Sequence, residues 1–77
     1  MYAQQVSDEV VIVKGYDKLG DAKFEFAPTR KGPIICYAYG HDGKALGHQR
    51  GYTQARSIRF YGIPFKDVGE VTCERLD

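Results

Sequence analysis

Asp42-Gly43 is the feature that most limits how this chain can fold. It lies between the run Ile34-Ile35-Cys36-Tyr37-Ala38-Tyr39 and a second strand-like run over residues 44–50. An Asp-Gly pair between such runs reads as a tight β-hairpin, because both central residues take positive φ and glycine adopts it without a Cβ penalty. Downstream, Thr53 stands where a hydroxyl caps a helix, and Gly62-Ile63-Pro64 stands where a helix stops. Residues 53–61 therefore read as a helix, with Ala55, Ile58 and Tyr61 as its apolar stripe. Arg56 and Arg59 fall three apart on another face of it.

The other segments follow from local pattern. Val10-Val11-Ile12-Val13 is a β-branched run that reads as a first strand, and residues 15–21 read as a loop with a glycine near each end. Residues 22–27 alternate, with Phe24 and Phe26 on one face and Lys23 and Glu25 on the other; Pro28 ends the strand. In the next strand Ile34, Cys36 and Ala38 share the face that Phe24 and Phe26 cover, and Leu46 is the core candidate of the strand after the hairpin. Val71, Cys73 and Arg75 alternate with Thr72 and Glu74 as a short last strand, with a second short helix as the alternative. The chain has 77 residues, enough for a single small domain over residues 1–77 with a thin core. The expected fold is α+β: an antiparallel sheet of four or five strands with one helix packed on one face.

The first five residues lack the basic-then-apolar pattern of a signal peptide, and the longest apolar run, residues 10–13, is too short to span a membrane. Two cysteines do not make a secreted disulfide framework. Cys36 and Cys73 are read as reduced, partly buried thiols, a single bridge being the alternative. These features together give an expected cytoplasmic location.

Chemistry is sparse. His41, His48, Cys36 and Cys73 are the candidate metal ligands, but they lack the close spacing of structural zinc sites. Asp42 adjoins His41 in a turn with no nucleophile in reach, and Gly40-His41-Asp42-Gly43 does not open a helix as a phosphate-binding loop would. The sequence thus predicts no catalytic residue, no metal and no cofactor.

Charge and tyrosine are more informative. Arg30, Lys31, Lys44, Arg50, Arg56, Arg59 and Lys66 crowd the middle of the chain against Asp42 alone, while acids prevail on both flanks. Four of the six tyrosines, Tyr37, Tyr39, Tyr52 and Tyr61, lie in that basic middle. Tyrosine and arginine dominate interface hot spots, and aromatics on a sheet beside arginines also serve single-stranded nucleic-acid readers. Tyr37, Tyr39, Arg50, Arg56 and Arg59 are the candidate binding residues, with the three arginines forming one patch. Ile35, Tyr37 and Tyr39 face away from the helix-covered core and form a dimer or partner surface.

Lys23-Phe24-Glu25-Phe26, Lys31-Gly32, residues 42–53 and Gly62-Ile63 with Val68 together resemble the YegP-like small-domain family. That resemblance covers about half the chain and implies a three-stranded antiparallel sheet with one packed helix, used in tandem or as dimers, and no catalytic residues. The family often has Asn where Asp42 stands, and polar residues in place of Ile35, Tyr37 and Tyr39. Gly43-Lys44-Ala45-Leu46-Gly47 followed by Phe60-Tyr61-Gly62-Ile63-Pro64 is similar to the hairpin-then-helix of a small phage-encoded anti-CRISPR protein, which implies an inhibitor that blocks a surveillance complex. The expected function is a non-enzymatic binder that occludes a protein or nucleoprotein partner, on the pattern of a phage or mobile-element inhibitor. A YegP-like homodimer and a direct nucleic-acid binder are the alternatives.

Overall fold

The structure, a computed structural model, describes residues 10–77. The acidic pair Asp8-Glu9 and the start of the chain lie outside the described residues. Six strands form: β1 (Ile12–Lys18), β2 (Asp21–Phe26), β3 (Pro33–Gly40), β4 (Ala45–Tyr52), β5 (Ser57–Phe60) and β6 (Val68–Arg75). They make two antiparallel three-stranded sheets, ordered β1-β2-β5 and β4-β3-β6.

Period-two alternation decides what is buried. Ala22, Phe24 and Phe26 from β2, Ile58 and Phe60 from β5, and Ile34, Cys36 and Ala38 from β3 form one cluster, so the inner faces of the two sheets close on each other. The Phe24 ring meets Phe60 edge-on with centroids 5.9 Å apart, a favoured aromatic geometry. Burying each such ring stabilises the fold by about 2 kcal/mol.

The expected helix is absent, and the α+β assignment is corrected to nearly all-β. Among the described residues the helical content is two single 3-10 turns, Thr53–Ala55 and Phe65–Asp67. Arg56 leaves the helical region with φ 66°, and Ser57–Phe60 then pairs with β2. The helical stripe needed Ala55 and Tyr61 inside, but both are exposed. Ile58 and Phe60, two apart, go inside instead. β-branched and aromatic residues suit that pleat, and a nine-residue helix has little stability of its own.

Thr53 does not cap a helix. Its side chain is buried, its hydroxyl donates to the Arg30 carbonyl at 2.7 Å and accepts from the Gly32 amide at 3.0 Å. It thereby pins the β2–β3 connection to the corner between β4 and β5.

β1 runs on through Gly15 to Lys18, where the sequence pattern predicts a loop over residues 15–21. A Cβ on Gly15 would lie 2.7 Å from the Phe24 ring and 2.9 Å from the Phe65 ring, so glycine lets both rings approach the backbone. Leu19 and Gly20, at φ 52° and 91°, make a two-residue hairpin loop between β1 and β2. The hairpin at Asp42-Gly43 forms as expected, though only Gly43 has positive φ, at 84°. The Gly43 amide donates to the Gly40 carbonyl at 3.0 Å, and the Lys44 carbonyl accepts from the Gly40 amide at 2.8 Å, the pattern of a turn closed by one left-handed residue. Leu46 is exposed rather than in the core. Cys36 and Cys73 are joined as a disulfide, not reduced.

Candidate binding face

In an antiparallel sheet, directly opposed residues share a face. Ile34 and Gly51 pair inward, where a Cβ on Gly51 would meet Ile58. Ile35, Tyr37 and Tyr39 therefore project from the outer face of the β4-β3-β6 sheet. Ile35 has Arg50 on one side and Glu74 on the other; Tyr37 has His48 and Thr72; Tyr39 has Ala45 and Glu70. The result is a central aromatic and aliphatic row with a basic strand on one flank and an acidic strand on the other.

Ile35 is only 9% exposed, between its long neighbours, while Tyr37 and Tyr39 are half-buried. The Tyr37 and His48 rings lie 6.2 Å apart, tilted by 43°. Arg50, Glu70 and Glu74 are exposed, and none makes an ion pair among the described residues. No helix among the described residues covers this face.

The other sheet differs. Lys14, Tyr16, Lys23, Glu25 and Arg59 occupy its outer face by register. Several of these groups satisfy one another: the Tyr16 hydroxyl donates to Glu25 Oε2 at 2.9 Å, and the Lys14 ammonium lies 5.3 Å from the Tyr16 ring centre. The bond to the Glu25 carboxylate, with some desolvation, holds the Tyr16 phenol above its usual pKa.

The structure divides the expected arginine patch. Arg50 lies on the outer face of one sheet. Arg59 lies on the other, where Nε and Nη2 donate to Asp21 Oδ2 at 2.9 and 2.7 Å and the guanidinium sits 5.0 Å from the Tyr61 ring centre. Arg56 donates from Nε to the Phe26 carbonyl at 3.3 Å. The helix that was to unite them does not form, so Tyr37, Tyr39 and Arg50 come together while Arg56 and Arg59 latch β5 to β2.

The four metal-ligand candidates are also dispersed. Cys36 and Cys73 are consumed by their own bond, His41 Nε2 lies 2.8 Å from the Lys66 carbonyl, and His48 packs beside Tyr37. A groove of about 420 Å³ runs between β1 and β6, floored by Phe24, Phe65 and Val68. Lys14 and Glu70 are the charged residues in its lining.

The acidic flank was the part of the face not picked out from sequence. Its signal was present: Glu70, Thr72 and Glu74 alternate with Val71, Cys73 and Arg75, which places the acids together on one side of a strand. No protein-family model, curated protein or solved structure matches this chain. The helix that both resemblances imply after the hairpin does not form; Ser57–Phe60 is β5.

Proposed function

We propose that this chain is a non-enzymatic binding protein that works by covering a surface of another protein with the outer face of the β4-β3-β6 sheet. The observation that carries this reading is the row Ile35, Tyr37, Tyr39 between Arg50 and His48 on one side and Glu70 and Glu74 on the other. Tyrosines in the middle and charges at the rim match the usual anatomy of protein interfaces. A nucleic-acid backbone suits the face less, because Glu70 and Glu74 flank the tyrosines within one strand spacing and repel phosphate.

Occlusion of a defence complex, as for a phage inhibitor, is one use such a face would serve. The expected cytoplasmic home sits against the Cys36–Cys73 bond, since disulfides persist mainly in oxidising compartments. No helix among the described residues is long and apolar enough to cross a membrane.

The test is affinity capture with the wild type and a Tyr37→Asp variant as matched baits, with folding checked by circular dichroism. Proteins held by the wild type and lost by the variant support the reading. Identical capture by both baits overturns it.

A further inference from the structure

The face is polarised across its width, and that polarity selects one partner geometry. β4 supplies Arg50 and His48, with Lys44 just before it, and β6 supplies Glu70 and Glu74. Arg50 and Glu74 stand at the same level of β3, since both oppose Ile35. Two copies of the sheet stacked face to face, with a two-fold axis running along β3, bring the basic strand of each over the acidic strand of the other. Arg50 of each copy then lies over Glu74 of the other, and the tyrosines pack between them. A two-fold axis running across the strands would instead lay β4 on β4 and β6 on β6, like charge on like.

We infer that the outer face of the β4-β3-β6 sheet is a homodimer interface with its two-fold axis along β3, pairing Arg50 of each copy with Glu74 of the other. This rests on reading that face as a protein-binding surface; a second copy of the chain occupies it weakly in the absence of another protein and is displaced by one. Symmetric dimers need a self-complementary patch, and this face has one in charge. Arg50 and Glu74 make no ion pair within the chain among the described residues, so both remain available. Aligned sheet packing with strands inclined by about 30° leaves the two side chains within reach across a gap of about 10 Å.

Size sets the strength. Three eight-residue strands at the usual spacings cover roughly 26 by 14 Å, about 370 Å² in flat projection. A standard partner surface contributes about 800 Å². The dimer is therefore a weak one that forms with rising concentration and falls apart on dilution.

Sedimentation equilibrium from about 10 μM to about 1 mM spans the affinity that such a small interface allows. The wild type is expected to pass from monomer to dimer across that range. Arg50→Glu and Glu74→Arg each place like charges across the axis at two points, so each alone should self-associate at least about tenfold more weakly. An equimolar mixture of the two variants should recover association to about the wild-type level, because opposite charges then meet at both contacts: the two substituted side chains at one, and the unchanged Arg50 and Glu74 at the other. Recovery in the mixture also shows that both variants are folded.

A wild type that stays monomeric throughout overturns the dimer. So does a dimer that ignores both charge reversals, or a mixture that fails to recover. If the dimer is absent while Tyr37→Asp still abolishes capture of another protein, the binding-face reading stands without it. If Tyr37→Asp changes neither self-association nor capture, both readings fail.

Discussion

Cys36 and Cys73 stand directly opposite each other on β3 and β6, with Cα atoms 4.0 Å apart and their sulfurs bonded. Cys36 is fully buried among Ile34, Ala38 and the phenylalanines. The bond ties two residues 37 apart in sequence, and so encloses β4, the corner, β5 and the second 3-10 turn. Closing a span of that length restricts the unfolded chain by about 4 kcal/mol in the chain-entropy account. A domain of this size has a total stability of only about 5–10 kcal/mol. Urea unfolding with and without reductant should show a loss of about 3–4 kcal/mol on reduction. The double variant Cys36→Ala, Cys73→Ala should be weak at the outset and indifferent to reductant. A wild-type midpoint that reductant leaves unmoved would show the thiols unpaired in solution.

Thr53 is the buried polar side chain of the core, and it holds two chain segments together through Arg30 and Gly32. Thr53→Val keeps the shape and removes both hydrogen bonds. The Arg30 carbonyl loses its hydroxyl donor but keeps the Arg75 guanidinium, so the change costs about 1 kcal/mol. The Gly32 amide keeps a second acceptor in Gln54 Oε1 at 3.2 Å, so Thr53→Val combined with Gln54→Leu should cost more than the sum of the two. Strict additivity in a double-mutant cycle would mean that the two side chains do not share that amide.

How far the sequence carried can be read from β5. Gly62 marks the end of an element, but three apolar positions at 55, 58 and 61 fit a helix as readily as two at 58 and 60 fit a strand. Only the pairing with β2, a contact between residues more than thirty apart, chooses between them. The outer row Ile35, Tyr37, Tyr39 needed no such contact, because alternation within β3 already separates it from Ile34, Cys36 and Ala38. The fate of Arg59 needed one: nothing local to it announces that Asp21, on another strand, will hold its guanidinium. The disulfide was hidden for the same reason. Cys36 and Cys73 become neighbours through the β3–β6 register, which spacing in sequence does not disclose.

Gly15 is a packing glycine. Its φ does not fall in the left-handed region, so alanine is acceptable to the backbone and meets trouble only from the Phe24 and Phe65 rings. Phe24 is buried, with Phe60 and Phe65 rings each 5.9 Å from it, and so cannot simply swing aside. Gly15→Ala should destabilise by about 1–3 kcal/mol, the usual cost of overpacking. Adding Phe65→Leu, which shrinks a half-exposed neighbour, should return part of that loss. Thermal unfolding of the single and double variants decides it; a double variant no better than the sum of its parts would place the strain elsewhere.

Asp21 links three places in the fold. Its Oδ1 accepts from the Gly62 amide at 2.8 Å, and its Oδ2 accepts from both Arg59 nitrogens. The Gly62 amide first, then Arg59, holds its pKa below the usual 3.8. A carboxylate with a lowered folded-state pKa adds stability that is fully present above its unfolded value and is lost as pH falls through the folded one. Asp21→Asn keeps an oxygen for Gly62 but gives up the charge facing Arg59. The wild type should therefore exceed the variant in urea midpoint at neutral pH, and the gap should close as pH drops below the ordinary carboxylate range. Arg59→Glu sets two acids together at the same spot, so its first effect is on folding, and loss of binding in that variant would not identify Arg59 as a contact residue. Wild type and Asp21→Asn midpoints that run parallel down to acid pH would mean that the ion pair contributes nothing to stability.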